Sequence, residues 1–434
     1  MSKAAKLNDP KIINAWGMYD WANSVYPLVI TSTIFPIYYE AVTKSSSTDH
    51  VHFLGMEFVN TALYSYALSF AFLIIACMSP LLSAIADYTG GKKRFMQFFC
   101  YIGAISCSTL YFFEADTLWL GLAAFMMATI GFSGSLVFYN AYLPEIATAD
   151  KQDKVSARGF ALGYIGSSLL LIFNLTMVLM PHWYGISSVG AASRISFLTV
   201  GIWWAAFAQI PFWFLPNGEK SNQEQTHLLM HGYKELIKVW RELKLNSALS
   251  RFLLSFFVYN MALQTVMNMA TIFGSKELKL ESSQLIITVL IIQFVAILGA
   301  VLFSRLSGMF GNIKALAIAI FVWIGICIGA YFVNGVNGFY AVAFCVGMVM
   351  GGIQSLSRST YSKMLPVESH NHASYFSFYD VCDKMGYFFG ILSFGVIEEL
   401  TGSMRNSIIV LVLFFCLGLF LLLRIGKTKA LNSL

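Results

Sequence analysis

Charged residues are scarce in this chain. Asp, Glu, Lys and Arg make up 12% of its 434 residues, whereas a soluble domain carries about 25%. Hydrophobic residues account for 57%, and the mean hydropathy is +0.68. A water-soluble globular enzyme is therefore excluded, because too little polar surface is available to cover it. The apolar runs are continuous rather than alternating, which excludes a β-barrel and predicts an all-α membrane protein.

Recognisable motifs for metals, disulfides and catalysis are also lacking. The seven Cys all lie in apolar runs and none forms a C-x-x-C pair, so we expect no disulfide framework, no metal site and no cofactor. All seven His lie outside the predicted spans, and no intramembrane catalytic motif is present. We therefore expect a protein that is not an enzyme. The polar segment Met1–Ile13 lacks a short apolar core with a cleavage site, so no cleaved signal peptide is expected.

The apolar runs predict twelve transmembrane helices, since each is close to the roughly 20 residues that a span requires. Their limits are 13–41, 57–84, 94–114, 117–141, 158–181, 194–215, 248–273, 283–304, 313–333, 338–361, 374–397 and 406–425. We expect the first span to bend, because it contains Pro27 and Pro36. The polar stretch 216–247 divides the chain into six-helix halves, 1–215 and 248–434. Within it, residues 227–245 predict an amphipathic helix on the inner membrane surface.

The basic residues predict the orientation. With the N-terminus inside, 22 of the 28 Lys and Arg fall on the cytoplasmic side, five fall on the other side, and Lys384 lies in a span. This asymmetry predicts a multi-pass membrane protein with both termini in the cytoplasm. The net charge of +6 is thereby explained by topology and contact with the bilayer, without nucleic-acid binding.

The two halves carry short matching segments. Gly90 and Gly311 follow the second and eighth spans, and Leu-Pro pairs at 143–144 and 365–366 end the fourth and tenth. Gly159-x-x-x-Gly163 and Gly386-x-x-x-Gly390 occur in the fifth and eleventh, where small residues let helices approach closely. Matches at equivalent places indicate a pseudo-repeat of the kind found in transporters.

The loop after the second span carries the first family resemblance. Residues 83–94, SAIADYTGGKKR, resemble the signature loop of the major facilitator superfamily, with Asp87, Gly90 and Lys92 on its key positions. The second copy, 304–314, keeps Gly311 but has Gly308 in place of the acid. The resemblance implies the major facilitator fold. It also implies that the Asp87 carboxylate accepts hydrogen bonds at the start of the eleventh span, near Ser374.

A narrower resemblance covers nearly the whole chain. The opening blocks Tyr19–Ser24 and Ile30–Pro36 resemble the vacuole-effluxer-like branch of that superfamily, whose fungal members release amino acids from the vacuole. Tyr142–Ala147, Ser156–Gly166 and Gly352–Ser359 support it. Within these blocks we assign Glu145, Arg158 and Arg358 to a cytoplasmic gate, together with the signature-loop residues Asp87, Gly90 and Lys92.

Four charged residues are set deep within the first and eleventh predicted spans, where a charge costs at least about 2.5 kcal/mol. They are Asp20 in the first span and Asp380, Asp383 and Lys384 in the eleventh. Asp380 and Lys384 have the i, i+4 spacing of a pair on one helix face. Two interpretations stay open: carboxylates that bind protons or substrate, with Asp20 first and Asp383 second, or a structural salt-bridge set that closes the inner gate.

Polar side chains in the spans that line the cavity of this superfamily mark a candidate substrate path. Amides there can bind a zwitterion, and they equally can join helices. The candidates are Tyr19, Asn23, Asn140, Tyr259, Asn260, Gln264, Asn268 and Gln354. The favoured function is a monomeric secondary transporter that moves a small polar solute, foremost an amino acid, by alternating access coupled to protons. The alternatives are a peptide, sugar or drug-like solute, a uniporter, and, in other classes, a receptor or an intramembrane enzyme.

Overall fold

The computed structural model describes residues 7–43, 50–217, 228–366 and 371–425. Nearly all of these residues are helical. The helices are α1 (Pro10–Asn23), α2 (Phe35–Thr43), α3 (Asn60–Thr89), α4 (Lys92–Thr109), α5 (Leu118–Asn140), α6 (Leu143–Ile146), α7 (Ala149–Leu179), α8 (Val189–Phe214), α9 (Leu228–Leu245), α10 (Ser247–Lys276), α11 (Ser282–Phe310), α12 (Asn312–Phe332), α13 (Val336–Met364), α14 (His372–Thr401) and α15 (Met404–Leu423). Short 3-10 turns occupy Leu110–Phe112, Ala115–Thr117 and Pro181–Tyr184.

The predicted twelve-span, all-α architecture is confirmed. Within the described ranges, eleven helical segments are long and apolar enough to cross a membrane. The remaining span is α14, the eleventh in chain order, whose 30 residues include the charged Asp380, Asp383 and Lys384. Spans one to six run from α1 to α8, and spans seven to twelve from α10 to α15.

The first span contains the predicted irregularity. Between α1 and α2, residues Tyr26–Ile34 form a π-helix that begins next to Pro27. The Thr33 hydroxyl donates to the carbonyl of Leu28 at 2.5 Å and to that of Val29 at 3.1 Å. This side-chain bonding satisfies carbonyls that the wider turn leaves without their usual partners.

Two local features differ from the sequence prediction. Residues His50–Phe53 (β1) and Met56–Val59 (β2) form an antiparallel hairpin that no pattern indicated. The fifth span begins at Ala149, well before the predicted residue 158. The polar residues of this extension, including Asp153 and Ser156, are buried against the second half, so packing sustains a helix that hydropathy alone does not predict.

The basic end of the bundle is the end that holds the start of α1, the turns at Gly90 and Gly311, and the linker helix α9. The predicted amphipathic helix is confirmed, and it packs against α3 of the first half and α14 of the second. Val239 and Leu243 are buried, Trp240 packs on Phe378 with ring centroids 5.5 Å apart, and the Tyr375 hydroxyl donates to Glu242 at 2.5 Å. Residues 218–227 of the predicted 216–247 linker lie outside the described ranges, as do the chain ends.

Candidate functional site

A buried ion pair joins the two halves. The Arg358 guanidinium on α13 contacts Asp20 Oδ2 on α1 through both terminal nitrogens, each at 3.3 Å. Asp20 is 5% exposed and Arg358 is 3% exposed. Both predicted residues therefore belong to one cluster, which spans from the first helix to the tenth transmembrane segment.

The surroundings of Arg358 satisfy the remaining donors of the guanidinium. Its Nε and Nη2 donate to the hydroxyl and the carbonyl of Ser156, both at 2.9 Å, and Nη1 donates to Asn140 Oδ1 at 3.3 Å. The Tyr139 hydroxyl donates to Asp20 Oδ2 at 2.7 Å. A buried ion pair needs such additional hydrogen bonds to offset the loss of hydration. Sequence reasoning missed the roles of Tyr139 and Ser156.

Aromatic rings cover the same guanidinium. Its central carbon lies 4.2 Å from the ring centroid of Phe160 and 4.8 Å from that of Trp16. Stacking of this kind suits the flat, weakly hydrated guanidinium better than it suits a lysine ammonium.

Gly159 on α7 makes room for the pair. A Cβ at this position would lie 2.4 Å from Asp20 Oδ2 and 3.1 Å from Arg358 Nη2. The motif predicts close packing of helices. At Gly159 the missing side chain also lets the backbone of α7 lie directly against the two charged groups.

A second charged cluster lies on α14. Lys384 Nζ contacts Asp383 Oδ2 at 2.7 Å and Asp380 Oδ1 at 3.4 Å. The predicted i, i+4 pair of Asp380 and Lys384 is present, and Lys384 pairs with Asp383 as well. The ammonium favours Asp383 because it reaches that oxygen at hydrogen-bonding distance, and it lies farther from Asp380.

Two amides on α10 hold Asp383. Asn260 Nδ2 and Gln264 Nε2 each donate to Asp383 Oδ1 at 2.9 Å. Asn268 donates to the carbonyl of Gln264 at 2.7 Å, one helical turn earlier. Of the predicted substrate residues, Asn260 and Gln264 therefore lie together at this cluster. The Asn268 side chain instead bonds to the backbone of its own helix.

The other predicted substrate residues are divided between the two clusters and the helix interfaces. Gln354 accepts a hydrogen bond from Tyr164 across the halves at 2.6 Å, and Tyr259 is bonded to Ser357 at 2.6 Å. Tyr19 is fully buried, and both its hydroxyl and the Asn23 Nδ2 lack a hydrogen-bond partner in the described residues. The residues thus do not form a single pocket in this structure.

The signature loop meets α14 at the basic end as predicted. Asp87 accepts from the backbone amides of Ala373 at 3.2 Å and Ser374 at 2.7 Å, and from the Ser374 hydroxyl at 2.8 Å. Gly90 has φ of 65°, a left-handed conformation that glycine adopts without strain. The carboxylate therefore caps the first turn of α14, where it interacts favourably with the helix dipole.

The remaining predicted gate residues behave differently from one another. Lys92 pairs with Glu145 and lies 5.2 Å from the ring centroid of Tyr142. Arg158 is exposed on α7, and it makes no ion pair within the described ranges. The structure therefore brings Lys92 and Glu145 together and leaves Arg158 apart from them.

A further contact between the halves, at Asp153, was not predicted from the sequence. Asp153 on α7 accepts from Lys363 at 2.7 Å, from Ser307 at 2.7 Å and from Asn312 at 2.8 Å. Ser307 and Asn312 belong to the second copy of the signature loop, in which Gly308 replaces the acid, and Lys363 lies near the end of α13. The carboxylate that the loop lacks is supplied by the opposing helix, and the polar start of the fifth span was the only signal for it.

An apolar cleft of about 360 Å³ lies between α7 and α8. Phe173, Ile202 and Trp203 line it, and none of the predicted site residues does. An apolar cleft on the outside of a membrane bundle suits lipid chains, so the charged clusters are the better candidates for the functional site.

Comparison with known proteins identifies the family. Residues 8–433 match the model of the family described as "Vacuole effluxer Atg22 like". A relative from Bacillus subtilis, the uncharacterized MFS-type transporter YxiO, is 33% identical over 94% of this chain and 93% of its own length. Autophagy-related protein 22 from Yarrowia lipolytica is 23% identical over 94% of this chain and 83% of its own length.

Solved structures support the same fold. The human organic anion transporter MFSD10 superposes with a TM-score of 0.74 at 11% identity, covering 95% of this chain and 100% of that one. The transporter FucP in its outward conformation gives a TM-score of 0.70 at 12% identity, with 96% and 98% covered. At these identities the similarity establishes the major facilitator fold and no more.

Proposed function

Because the chain belongs to the vacuole effluxer Atg22-like family of the major facilitator superfamily, we propose that it is a secondary active transporter of a small polar organic solute, foremost an amino acid. It works by alternating access and is coupled to protons. It acts as a monomer in a bacterial cytoplasmic membrane, with its basic end in the cytoplasm. Membrane transport itself follows from the family and the fold.

The observation that carries alternating access is the position of the contacts between the halves. Asp20–Arg358, Asp87 with the start of α14, and Asp153–Lys363 all join the halves toward the basic end. At the opposite end, the ion pairs Arg194–Glu114 and Arg405–Glu277 each stay within one half. Contacts that lock one end and can separate are what a two-state transporter requires.

One arrangement of side chains supports an amino acid as the solute. On α10, the side-chain amides of Asn260 and Gln264 provide hydrogen-bond donors. They lie beside the anionic, partly exposed carboxylate of Asp383 on α14. A zwitterion needs an anionic group for its ammonium and a donor for its carboxylate. A buried carboxylate cluster also supports coupling to protons, since such groups occur on proton pathways in membrane proteins.

The test is solute uptake by the purified protein in liposomes, with a panel of labelled amino acids, peptides and sugars, with and without a pH gradient. We expect accumulation of one or more amino acids that disappears when an ionophore collapses the gradient. Protein-free liposomes are the control. Uptake that only equilibrates would indicate a uniporter, uptake restricted to another solute would change the substrate class, and binding without flux would indicate a receptor.

A further inference from the structure

The charges of the α14 cluster do not balance. Two carboxylates, Asp380 and Asp383, share one ammonium, that of Lys384. The two buried ion pairs that join the halves are one-to-one by contrast: Asp20 pairs with Arg358, and Asp153 with Lys363. With all three groups ionised, the α14 cluster carries one surplus negative charge.

Within the described ranges, Lys384 is the cation that contacts Asp380 and Asp383, and no second cation joins them. The neighbouring helix α10 presents the neutral amides of Asn260 and Gln264, and α3 presents the Phe72 ring, 5.5 Å from Lys384 Nζ. On α14 itself, the nearest other titratable groups are Tyr379, Cys382 and Tyr387, which are neutral when protonated. A net charge inside a membrane protein is costly unless a cation or a proton neutralises it.

The two carboxylates differ in their hydrogen bonds. Asp383 accepts hydrogen bonds from Lys384 at 2.7 Å and from the amides of Asn260 and Gln264 at 2.9 Å. These donors stabilise the ionised form of the carboxylate. Asp380 is 6% exposed and has Lys384 at 3.4 Å from Oδ1, and the described residues provide no hydrogen-bond partner for its buried Oδ2. An ionised carboxylate oxygen without a donor is the costlier arrangement, so Asp380 is the group to be neutralised.

The burial of Asp380 Oδ2 limits which species can neutralise this carboxylate. Oδ2 of Asp380 is enclosed by protein, so it admits a proton and excludes a metal ion or an ammonium group. Asp20 lacks this property, since Arg358 and Tyr139 both contact its Oδ2.

We propose that Asp380 is the site at which the coupled proton binds, and that Asp383–Lys384 is the ion pair that remains beside it. The assignment rests on the proposed proton coupling. A proton converts the Asp380 carboxylate to a neutral carboxyl group and so removes the surplus charge. Loss of the proton makes Asp380 and Asp383 compete for Lys384. Because Asp87 caps the first turn of the same helix, the proton site and a lock of the basic end lie on one rigid element.

The experiment is infrared spectroscopy of the protein in lipid, in which protonated carboxyl groups absorb separately from carboxylates, recorded over a pH titration. We expect a band that is lost in Asp380→Asn, shifts in Asp380→Glu, and is unchanged in the matched control Asp20→Asn. Asp383→Asn should also abolish it, because Asp380 and Lys384 then balance and Asp380 ionises. Absence of any such band from the unaltered protein, its survival in Asp380→Asn, or a shift in Asp383→Glu instead of Asp380→Glu would overturn the assignment.

Liposome transport separates this inference from the proposed function. Asp380→Asn should lose accumulation driven by a pH gradient and keep exchange between equal pools of substrate, while Asp150→Asn, an exposed acid outside both charged clusters, keeps its dependence on the gradient. If the infrared results hold and no solute responds to the gradient, the proton site stands and the proposed coupling fails. If the unaltered protein is coupled and Asp380→Asn is equally coupled, the proton site is wrong and the proposed function stands.

Discussion

Asp20 and Arg358 lie 338 positions apart in the chain, and their side chains meet at 3.3 Å in the buried interface between the halves. Neither residue has a charged partner on its own helix in this contact. The pair exists only while the halves are closed at the basic end, so its separation must accompany opening of that end in an alternating-access cycle.

The first prediction concerns this pair. Arg358→Leu should lower the free energy of unfolding by about 3–5 kcal/mol, because it leaves the Asp20 carboxylate buried without its cation. Asp20→Asn combined with Arg358→Leu should recover most of that loss, since no buried charge then remains. Denaturant unfolding in detergent measures both, and a double variant no more stable than Arg358→Leu would show that the two groups do not interact.

The second prediction concerns the space beside the pair. Gly159→Ala should destabilise the protein by about 1–3 kcal/mol, because the new methyl group would lie 2.4 Å from Asp20 Oδ2. Gly325→Ala on α12 is the matched control, since a Cβ there meets nothing within 4 Å. Thermal unfolding of the two variants should differ clearly, and equal melting temperatures would contradict the packing seen around Gly159.

The third prediction concerns the cap of α14. Asp87→Asn removes the charge that interacts with the start of this helix and should shift the conformational equilibrium by about 1 kcal/mol toward opening at the basic end. Spin labels at the exposed positions Lys151 and Lys314, one in each half, should report longer distances. Asp150→Asn, an exposed acid at the same end, should leave the distances unchanged. Identical distributions for Asp87→Asn and the unaltered protein would refute the role.

The fourth prediction concerns the linker helix α9. Glu242→Gln and Tyr375→Phe each weaken the hydrogen bond from α14 to α9, and each should favour opening of the basic end by about 1.5 kcal/mol. The same spin-label pair measures the effect, with the exposed Arg241→Gln as control. If opening is unaffected by both substitutions, α9 is a passive connection between the halves.

The fifth prediction concerns orientation. In a cysteine-free background, Asn246→Cys at the basic end and Glu57→Cys in the β1–β2 hairpin are both exposed. A membrane-impermeant thiol reagent added to intact cells should label Glu57→Cys and leave Asn246→Cys unlabelled until the membrane is opened. The reverse pattern, or labelling of both from outside, would contradict the orientation derived from the Lys and Arg distribution.

Much of the fold was predictable because it depends on local properties of the chain. Hydrophobic run length alone placed twelve spans within a few residues of most observed limits, and helical periodicity placed α9. The early start of α7 was not predictable in this way, because Asp153 and Ser156 are helical and buried through partners in the other half. The β1–β2 hairpin likewise had no recognisable turn signal.

The sequence by itself determined the number of spans, the family and most of the residues that carry buried charge, since each follows from composition or from a contiguous motif. The contact of Asp87 with the start of α14 followed from such a motif. Only the tertiary structure decided which charges pair: Asp20 with Arg358, Asp153 with Lys363, and Lys384 between two carboxylates. These pairings depend on how each helix is rotated and how closely it packs against its neighbours. That geometry arises from contacts between distant parts of the chain, which spacing along a single helix does not contain.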